Sequence, residues 1–178
     1  MQAEAAIRSA TKSDIEQITA LYRAVGSAGG GLARTPDEIT LDYVSDFVHA
    51  SRHGGIELVA EAPDGTLAGE IHTYPLGPVT LAHVLGQLTI AVHPGWQGRG
   101  VGRALFRALL DRVERDFPHV LRVELKARES NTRAIGMYES LGFRKEGRME
   151  RRIRLENGSF DADIPMAWHR TNEQRPEG

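Results

Sequence analysis

The run "TIAVHPGWQGRGVGRALFRALL", Thr89 to Leu110, decides how this chain folds. Its apolar and β-branched opening reads as the end of a strand. Further on, Val101, Leu105, Ala108, Leu109 and Val113 mark one face of a helix. Between the two lie Gly98, Gly100 and Gly102. Glycine weakens the interior of strands and helices alike, so three of them at a junction mark a backbone that must turn sharply or approach something closely. A strand running into a helix leaves the first helical N–H groups unpaired and clustered. With no Cβ in the way, those donors close around an anion, and the helix dipole adds to the attraction. Arg99 and Arg103 put cations alongside. The junction reads as a phosphate or pyrophosphate cradle over Gln97, Gly98, Arg99, Gly100, Val101, Gly102 and Arg103. The same letters also serve a tight, closely packed strand-to-helix turn.

Two common nucleotide readings fail. A Walker loop ends in Gly-Lys-Ser/Thr, which is absent. The dinucleotide fingerprint is G-x-G-x-x-G on the first strand of a βαβ unit. Here the spacing is G-x-G-x-G, after what reads as the fourth strand of an antiparallel set.

Outward from the junction, the chain alternates clear elements without repeats or a linker. "AAIRSA" reads as a first strand and "TKSDIEQITALYRAV" as a first helix, with Ile15, Ile18, Leu21, Tyr22 and Val25 at helical spacing. "GSAGGGLART" is a loop, and a second helix starts at Pro36 in "PDEITLDYVSDFVHAS". "GIELVAEA" and "TLAGEIHTY" form a hairpin through "PDGT", and a long strand covers Ala82 to Val92. After the helix that follows the glycines, "VLRVELKA" is a strand and "NTRAIGMYESLG" a helix capped by Asn131 and stopped by Gly142. "RMERRIRL" and "FDADIPMAW" form a last hairpin turning at Asn157-Gly158. The sum is an α+β domain over residues 1–170, with four helices and seven strands around one sheet. Residues 171–178 read as a loose tail.

Composition narrows the function classes. A chain of 178 residues suffices for one domain with a core and is short for two. A formal charge of −2 speaks against nucleic acid as a partner. The absence of cysteine excludes disulfides, thiolate metal sites and a Cys nucleophile. No apolar run approaches the ~20 residues that cross a bilayer, and "MQAEAAIRSA" has no signal-peptide pattern. A cytoplasmic protein with no membrane partner is the expectation. His49 and His53 are four apart, but no H-E-x-x-H accompanies them, so a helix end is the preferred reading over a metal site. The basic run "RKEGRMERRIR" is interspersed with Glu146 and Glu150 and reads as a solvated edge strand. Within it Arg151 shares strand phase with Met149, Ile153 and Leu155, which places it among buried side chains facing an acid or a substrate carboxylate.

"QGRGVG", from Gln97, resembles the pyrophosphate motif Q/R-x-x-G-x-G/A of the GNAT superfamily of N-acetyltransferases, and "IAVHP" before it resembles that family's strand end. "NTRAIGMYESLGF", from Asn131, resembles the second signature, N-x-x-A-x-x-x-Y-x-x-x-G-F. One glycine motif is weak; two motifs in order with a strand between them are specific. The resemblance runs from about residue 5 to Trp168. It implies a mixed, mostly antiparallel seven-stranded sheet whose central parallel strands splay apart, flanked by four helices. Acetyl-CoA is the implied cosubstrate, with no metal. By the same resemblance Ile90, Ala91 and Val92 meet the acyl end through main chain, Gln97 to Arg103 hold the pyrophosphate, Asn131 contacts the cofactor, and Tyr138 is the general acid for the departing thiolate. A phenol of reference pKa about 10 suits an alkyl thiolate.

With no cysteine and no G-x-S-x-G elbow, direct attack of an amine on the thioester is the expected chemistry. The amine must be neutral. A lysine-like amine is only ~1 part in 2500 neutral at pH 7, a deficit of roughly 4.6 kcal/mol, against about 1.1 kcal/mol for an α-amine. Where some family members carry a glutamate, five residues before the motif asparagine, this chain has Lys126. Strand alternation offers another polar wall, with Glu70, His72 and Tyr74 on one strand and His83, Gln87, Thr89 and His93 on the next. Glu70 is the base, or the head of a water chain, on this reading. His72, His83 and the loop residue Arg34 are candidates for the acceptor. That acceptor is a small amino-acid-like amine or a protein N-terminus. A non-catalytic acyl-CoA-binding module on the same fold is the alternative. A homodimer is compatible with such a fold, though no stretch marks an interface.

Overall fold

The computed structural model describes residues 5–29 and 31–171; the expected tail beyond Thr171 lies outside them. Strand β1 (Ala6–Ser9) leads into helix α1 (Ile15–Ser27), and helix α2 (Leu41–Arg52) follows. Next come β2 (Ile56–Glu61), β3 (Leu67–Pro75), β4 (Val84–Val92), α3 (Val101–Asp116), β5 (Arg122–Arg128) and α4 (Thr132–Ser140). Strands β6 (Arg144–Lys145), β7 (Met149–Arg154) and β8 (Phe160–His169) complete one sheet, ordered β1-β2-β3-β4-β5-β8-β6 with β7 also on β8. Among the described residues only β4 and β5 run parallel. The sheet has eight strands where seven were expected, because the two residues of β6 pair with β8 ahead of the last hairpin.

Local signals explain most boundaries. Pro36 opens a 3-10 turn rather than α2; the helix starts later, where the Thr40 side chain accepts the Tyr43 N–H. α4 ends in a Schellman motif: Gly142, at φ 95°, donates to Glu139 O, and Phe143 N–H reaches Tyr138 O. α3 and α4 cover one face, burying Leu105, Phe106, Leu109 and Val113 against Ile71, Leu125 and Phe143. α1 and α2 cover the other, where Ile18, Tyr22, Val25, Val44 and Phe47 close over Val59, Leu67 and Ala91. Burying a side chain of this size removes about 1.5–3 kcal/mol of apolar exposure, so the two faces hold the sheet from both sides.

Two bulges alter what strand alternation alone predicts. In β4, Gln87 has φ 53°, and three steps of β4 (Gly86 to Thr89) oppose two steps of β3 (Tyr74 to His72). The extra residue inverts the phase of everything before it. Thr89 stays opposite His72, whereas His83 falls out of that wall, lies exposed before β4 begins, and lines no cavity of the site. In β7, the register jumps between Met149 and Ile153, Arg151 takes φ 52°, and its exposed guanidinium sits 4.7 Å from the Phe160 ring centroid. Arg151 is therefore not the buried charge that simple alternation makes it. Its neighbour Arg148 pairs with Glu129 at 2.7 Å on the same surface.

β4 and β5 pair from Val84↔Arg122 to Leu88↔Leu125 and then separate, although β4 continues to Val92 and β5 to Arg128. This opening in the middle of the sheet positions the site.

Candidate active site

The open wedge leaves main-chain groups without strand partners, and their direction follows from the ladders on either side. His93 N–H donates to Ala68 O at 2.9 Å, so Ala91 and Thr89 also face β3. Ile90 and Val92 then point their N–H and C=O into the gap. On the other side, Glu129 N–H reaches Ala162 O at 2.8 Å, which turns Lys126 and Arg128 main chain toward the gap. Buried backbone donors demand partners, so this wedge is built to receive an extended polar chain. Ala91 is not among its donors: its main chain faces β3 and its side chain is buried under α1.

At the end of β4 the Gln97 amide donates to Val92 O at 3.2 Å, holding the turn against the strand. Gly98 and Gly100 have φ of 76° and 85°, the left-handed region that only glycine enters freely. The first amide of α3 to close a helical bond is that of Ala104, on Gly100 O at 3.0 Å. The amides of Val101, Gly102 and Arg103 are the free donors of the helix start. They border a cavity of about 1240 Å³ that also takes in Ile90, Val92, Asn131, Arg133 and Tyr138. A Cβ on Gly100 would meet nothing within 4 Å, and one on Gly98 would lie 3.7 Å from an Arg133 guanidinium nitrogen. These residues fit a diphosphate: free amides, absent side chains and cations at one rim. Arg103 lines the cavity with its guanidinium on Ser140 Oγ at 2.9 Å, while Arg99 turns out of it and lies 5.1 Å over Trp96. Arg133 lines the same cavity from α4; it occupies an unspecified position of N-x-x-A, so no letter of the motif marked it.

Asn131 caps α4 by accepting the Ala134 N–H at 3.2 Å. A Cβ on Gly31 would approach its Nδ2 to 3.4 Å, so the α1–α2 loop crosses against this helix start. Arg128 ties the same loop down by donating to Leu32 O at 2.7 Å. Tyr138 reaches the cavity from below, with burial alone pushing its phenol up to about 12, so it is protonated at neutral pH.

A second cavity of about 270 Å³ lies beneath the tethered loop. It shares Leu32, Ala33, Gln87 and Thr89 with the first, so the two adjoin. His72, Phe47, Tyr43 and Tyr74 form its walls, and Arg34 stands at its rim, 4.2 Å over the Tyr43 ring. Glu70 does not reach either cavity. It is fully buried, accepts from the Tyr22 hydroxyl at 2.5 Å and sits 3.1 Å from His72 Nδ1. Glu57, directly opposite His72 in β2, is buried with neither carboxylate oxygen hydrogen-bonded, and burial followed by the Glu70 charge pushes it up to about 8. Tyr22 and Glu57 carry no motif and became visible only once the sheet was assembled. The His49 and His53 rings lie 4.2 Å apart and tilted by 40° at the end of α2, with His53 Nδ1 on His49 O, and no third ligand gathers there among the described residues.

The sequence signature of the Acetyltransferase (GNAT) family matches residues 20–143. Over 67 residues the chain is 42% identical to the N-alpha-acetyltransferase RimI of Mycobacterium tuberculosis, 38% of this chain and 39% of that protein. Over 54 residues it is 48% identical to the ribosomal protein bS18-alanine N-acetyltransferase of Escherichia coli K12, 30% of this chain and 35% of that protein. The match thus spans little more than a third of either relative. In fold, the chain is similar to the phosphinothricin acetyltransferase of Sinorhizobium meliloti in complex with AcCoA, with a TM-score of 0.82 at 21% identity over 98% of this chain and 95% of that one. With its parted β4 and β5, its glycine-started α3 and a family signature over most of its length, the chain belongs to the acetyltransferase (GNAT) family.

Proposed function

We propose that this protein is an acetyl-CoA-dependent N-acetyltransferase that moves the acetyl group directly to a primary amine. The observation that carries the reading is one of placement: Tyr138, the gap-facing residues Ile90 and Val92 and the start of α3 all line one cavity. Acetyl-CoA supplies an activated acyl carbon and a thiolate leaving group. Val101, Gly102 and Arg103 amides, with Arg133, hold its diphosphate, and Asn131 adds its amide at the α4 start. Ile90 and Val92 hold the arm in the wedge and polarise the carbonyl, as positioned donors do best in a dry site. Tyr138 gives its proton to the departing sulfur; a phenol kept neutral by burial is ready to donate.

The acceptor belongs in the smaller cavity. About 270 Å³ lined by Phe47, Tyr43 and Tyr74 suits a compact amine, and Arg34 at the rim suits an anionic group on it, such as an α-carboxylate. A protein N-terminus is the second reading, favoured by the names of the M. tuberculosis and E. coli relatives.

Thiol release from acetyl-CoA across amino acids, polyamines, aminoglycosides and N-terminal peptides tests both readings. Tyr138→Phe should lower kcat by ~10²-fold or more while calorimetry shows acetyl-CoA affinity retained. Tight acetyl-CoA binding without transfer to any amine would instead make the protein a binding module. Absence of binding at millimolar acetyl-CoA would sink the proposal.

A further inference from the structure

We infer that His72 is the base that takes the proton from the acceptor amine, held in the working tautomer by Glu70, which Tyr22 in turn anchors. The inference rests on the acetyltransferase reading above. It concerns a pair that no family motif marks and gives Glu70 a positioning role instead of a direct one.

The geometry assigns the two ring nitrogens different tasks. All hydrogen bonds of the imidazole fall on Nδ1: Glu70 Oε1 at 3.1 Å, Oε2 at 3.3 Å and the Tyr22 hydroxyl at 3.3 Å. The Tyr22 O–H is committed to Glu70 Oε2 at 2.5 Å. Glu70 can only accept, so Nδ1 carries the hydrogen and Nε2 keeps its lone pair. Phe47 stacks on the ring at 4.0 Å between centroids and 11° between planes, which fixes its orientation. The residue is 2% exposed, yet it lines the acceptor cavity, so the imidazole is open to a small ligand there and otherwise dry. Thr89, opposite His72 in β4, lines both cavities and marks where the amine would meet the acyl carbon.

The remaining groups around the imidazole leave the role to His72. Tyr22 from α1 and Tyr43 from α2 are phenols raised by burial, and Tyr74 beside it in β3 is raised for the same cause. Glu57 from β2 is largely protonated at pH 7 and lines neither cavity. Arg34 from the loop is a cation over Tyr43. Imidazole is the side chain whose proton exchange lies nearest neutrality. In the step, His72 Nε2 removes a proton from the ammonium and passes it to solvent. The nitrogen then forms its bond to the acyl carbon as the C–S bond breaks and the electron pair leaves on sulfur. Tyr138 protonates that sulfur, and the second proton shed by nitrogen restores Tyr138 through water. The balance is one ammonium and one thioester giving one amide, one thiol and one proton.

Two measurements test this on the full chain. The first is a long-range proton–nitrogen NMR spectrum of the 15N-histidine-labelled protein, with its seven histidines assigned by connectivity. His72 should appear as the Nδ1–H tautomer, and Glu70→Gln should lose that preference; an Nε2–H tautomer in the unmodified protein overturns the proposal. The second is the pH dependence of kcat/KM with acetyl-CoA and the amine from the panel that turns over fastest, with Glu57→Gln as a control for the neighbouring carboxyl. His72→Gln should lose ~10²-fold or more in kcat/KM with acetyl-CoA affinity intact. Glu70→Gln should lose less and move the acidic limb of the profile, which a merely structural role would leave in place. An active parent whose His72→Gln variant stays within about threefold refutes this base and leaves the acetyltransferase reading standing. A parent inactive with every amine refutes that reading first, and this one with it.

Discussion

Glu57 offers the sharpest test of the electrostatics beneath the site. The residue is 7% exposed, its two carboxylate oxygens are buried without a hydrogen-bond partner, and it shares a sheet face with Glu70. Burial first, then the Glu70 charge, raises it from the ordinary 4.5 to about 8. The folded state therefore holds a proton that the unfolded chain gives up. Between pH 4.5 and 8 the native protein binds more protons than the unfolded one, so stability falls as pH rises, by about 1.4 kcal/mol per pH unit. The accumulated loss is on the order of 3 kcal/mol at pH 7 and approaches ~5 kcal/mol at pH 8. Glu57→Gln removes the titration while keeping the size and polarity of the neutral acid. The variant should match its parent near pH 4.5 and become progressively more stable above it, by a few kcal/mol at pH 8. Urea unfolding followed by circular dichroism at half-unit pH intervals reads this directly. Subtracting the two curves removes every titration the substitution leaves unchanged. Parallel stability curves from pH 5 to 8 would refute the reasoning, because they would mean the carboxylate is solvated or partnered in the folded protein.

Two further substitutions probe how the frame around the site is held. Asp14 accepts both Arg8 Nη atoms at 2.8 Å and the Thr11 N–H at 2.7 Å, and Arg8 foremost lowers its carboxyl from 3.8 to about 2. A depressed acid stabilises the fold above its unfolded pKa, and that gain is lost as pH falls from 3.8 toward 2. Full conversion gives about 2 kcal/mol; with Arg8 partly in solvent, screening brings the expected loss in Asp14→Asn nearer ~1 kcal/mol at pH 7. The deficit should vanish near pH 2 in denaturant titrations, and one that is the same at pH 7 and pH 2 would count against the ion pair. At the junction of α2 and β2, a Cβ on Gly55 would lie 2.2 Å from Thr73 O and 2.8 Å from Tyr74 Cα. Gly55→Ala must push β3 away from α2 and should cost about 2–3 kcal/mol, read as a lower urea midpoint. A midpoint unchanged from the parent would show that the backbone there has room to give.

Much of the backbone geometry around the candidate site was legible in the letters because its signals are local. The G-x-G-x-G junction forces left-handed backbone at Gly98 and Gly100 and opens a helix without blocking its amides. Asn131 and Gly142 delimit α4 through hydrogen bonds spanning three to five residues. The helix faces followed from 3.6-residue periodicity, which requires only one element at a time. Phase along a strand was less secure. A single residue of φ 53° at Gln87 inverted the faces of β4 and removed His83 from the wall that alternation had built. The bulge at Arg151 does the same for a charge that periodicity alone sends to the interior.

What the sequence by itself determined is therefore the succession of helices and strands, the glycine-rich junction after β4 and the place of Tyr138 on α4, since each depends on residues adjacent in the chain or on a helix. What only the tertiary structure decided is where β4 and β5 part, which amides face the gap, and how Tyr22, Glu57, Glu70 and His72 come to share one dry cluster. Tyr22 and Glu70 are 48 residues apart. Their contact, and the burial that raises the Tyr22 phenol, come from strand register and from helices closing over the sheet, and no local pattern encodes either.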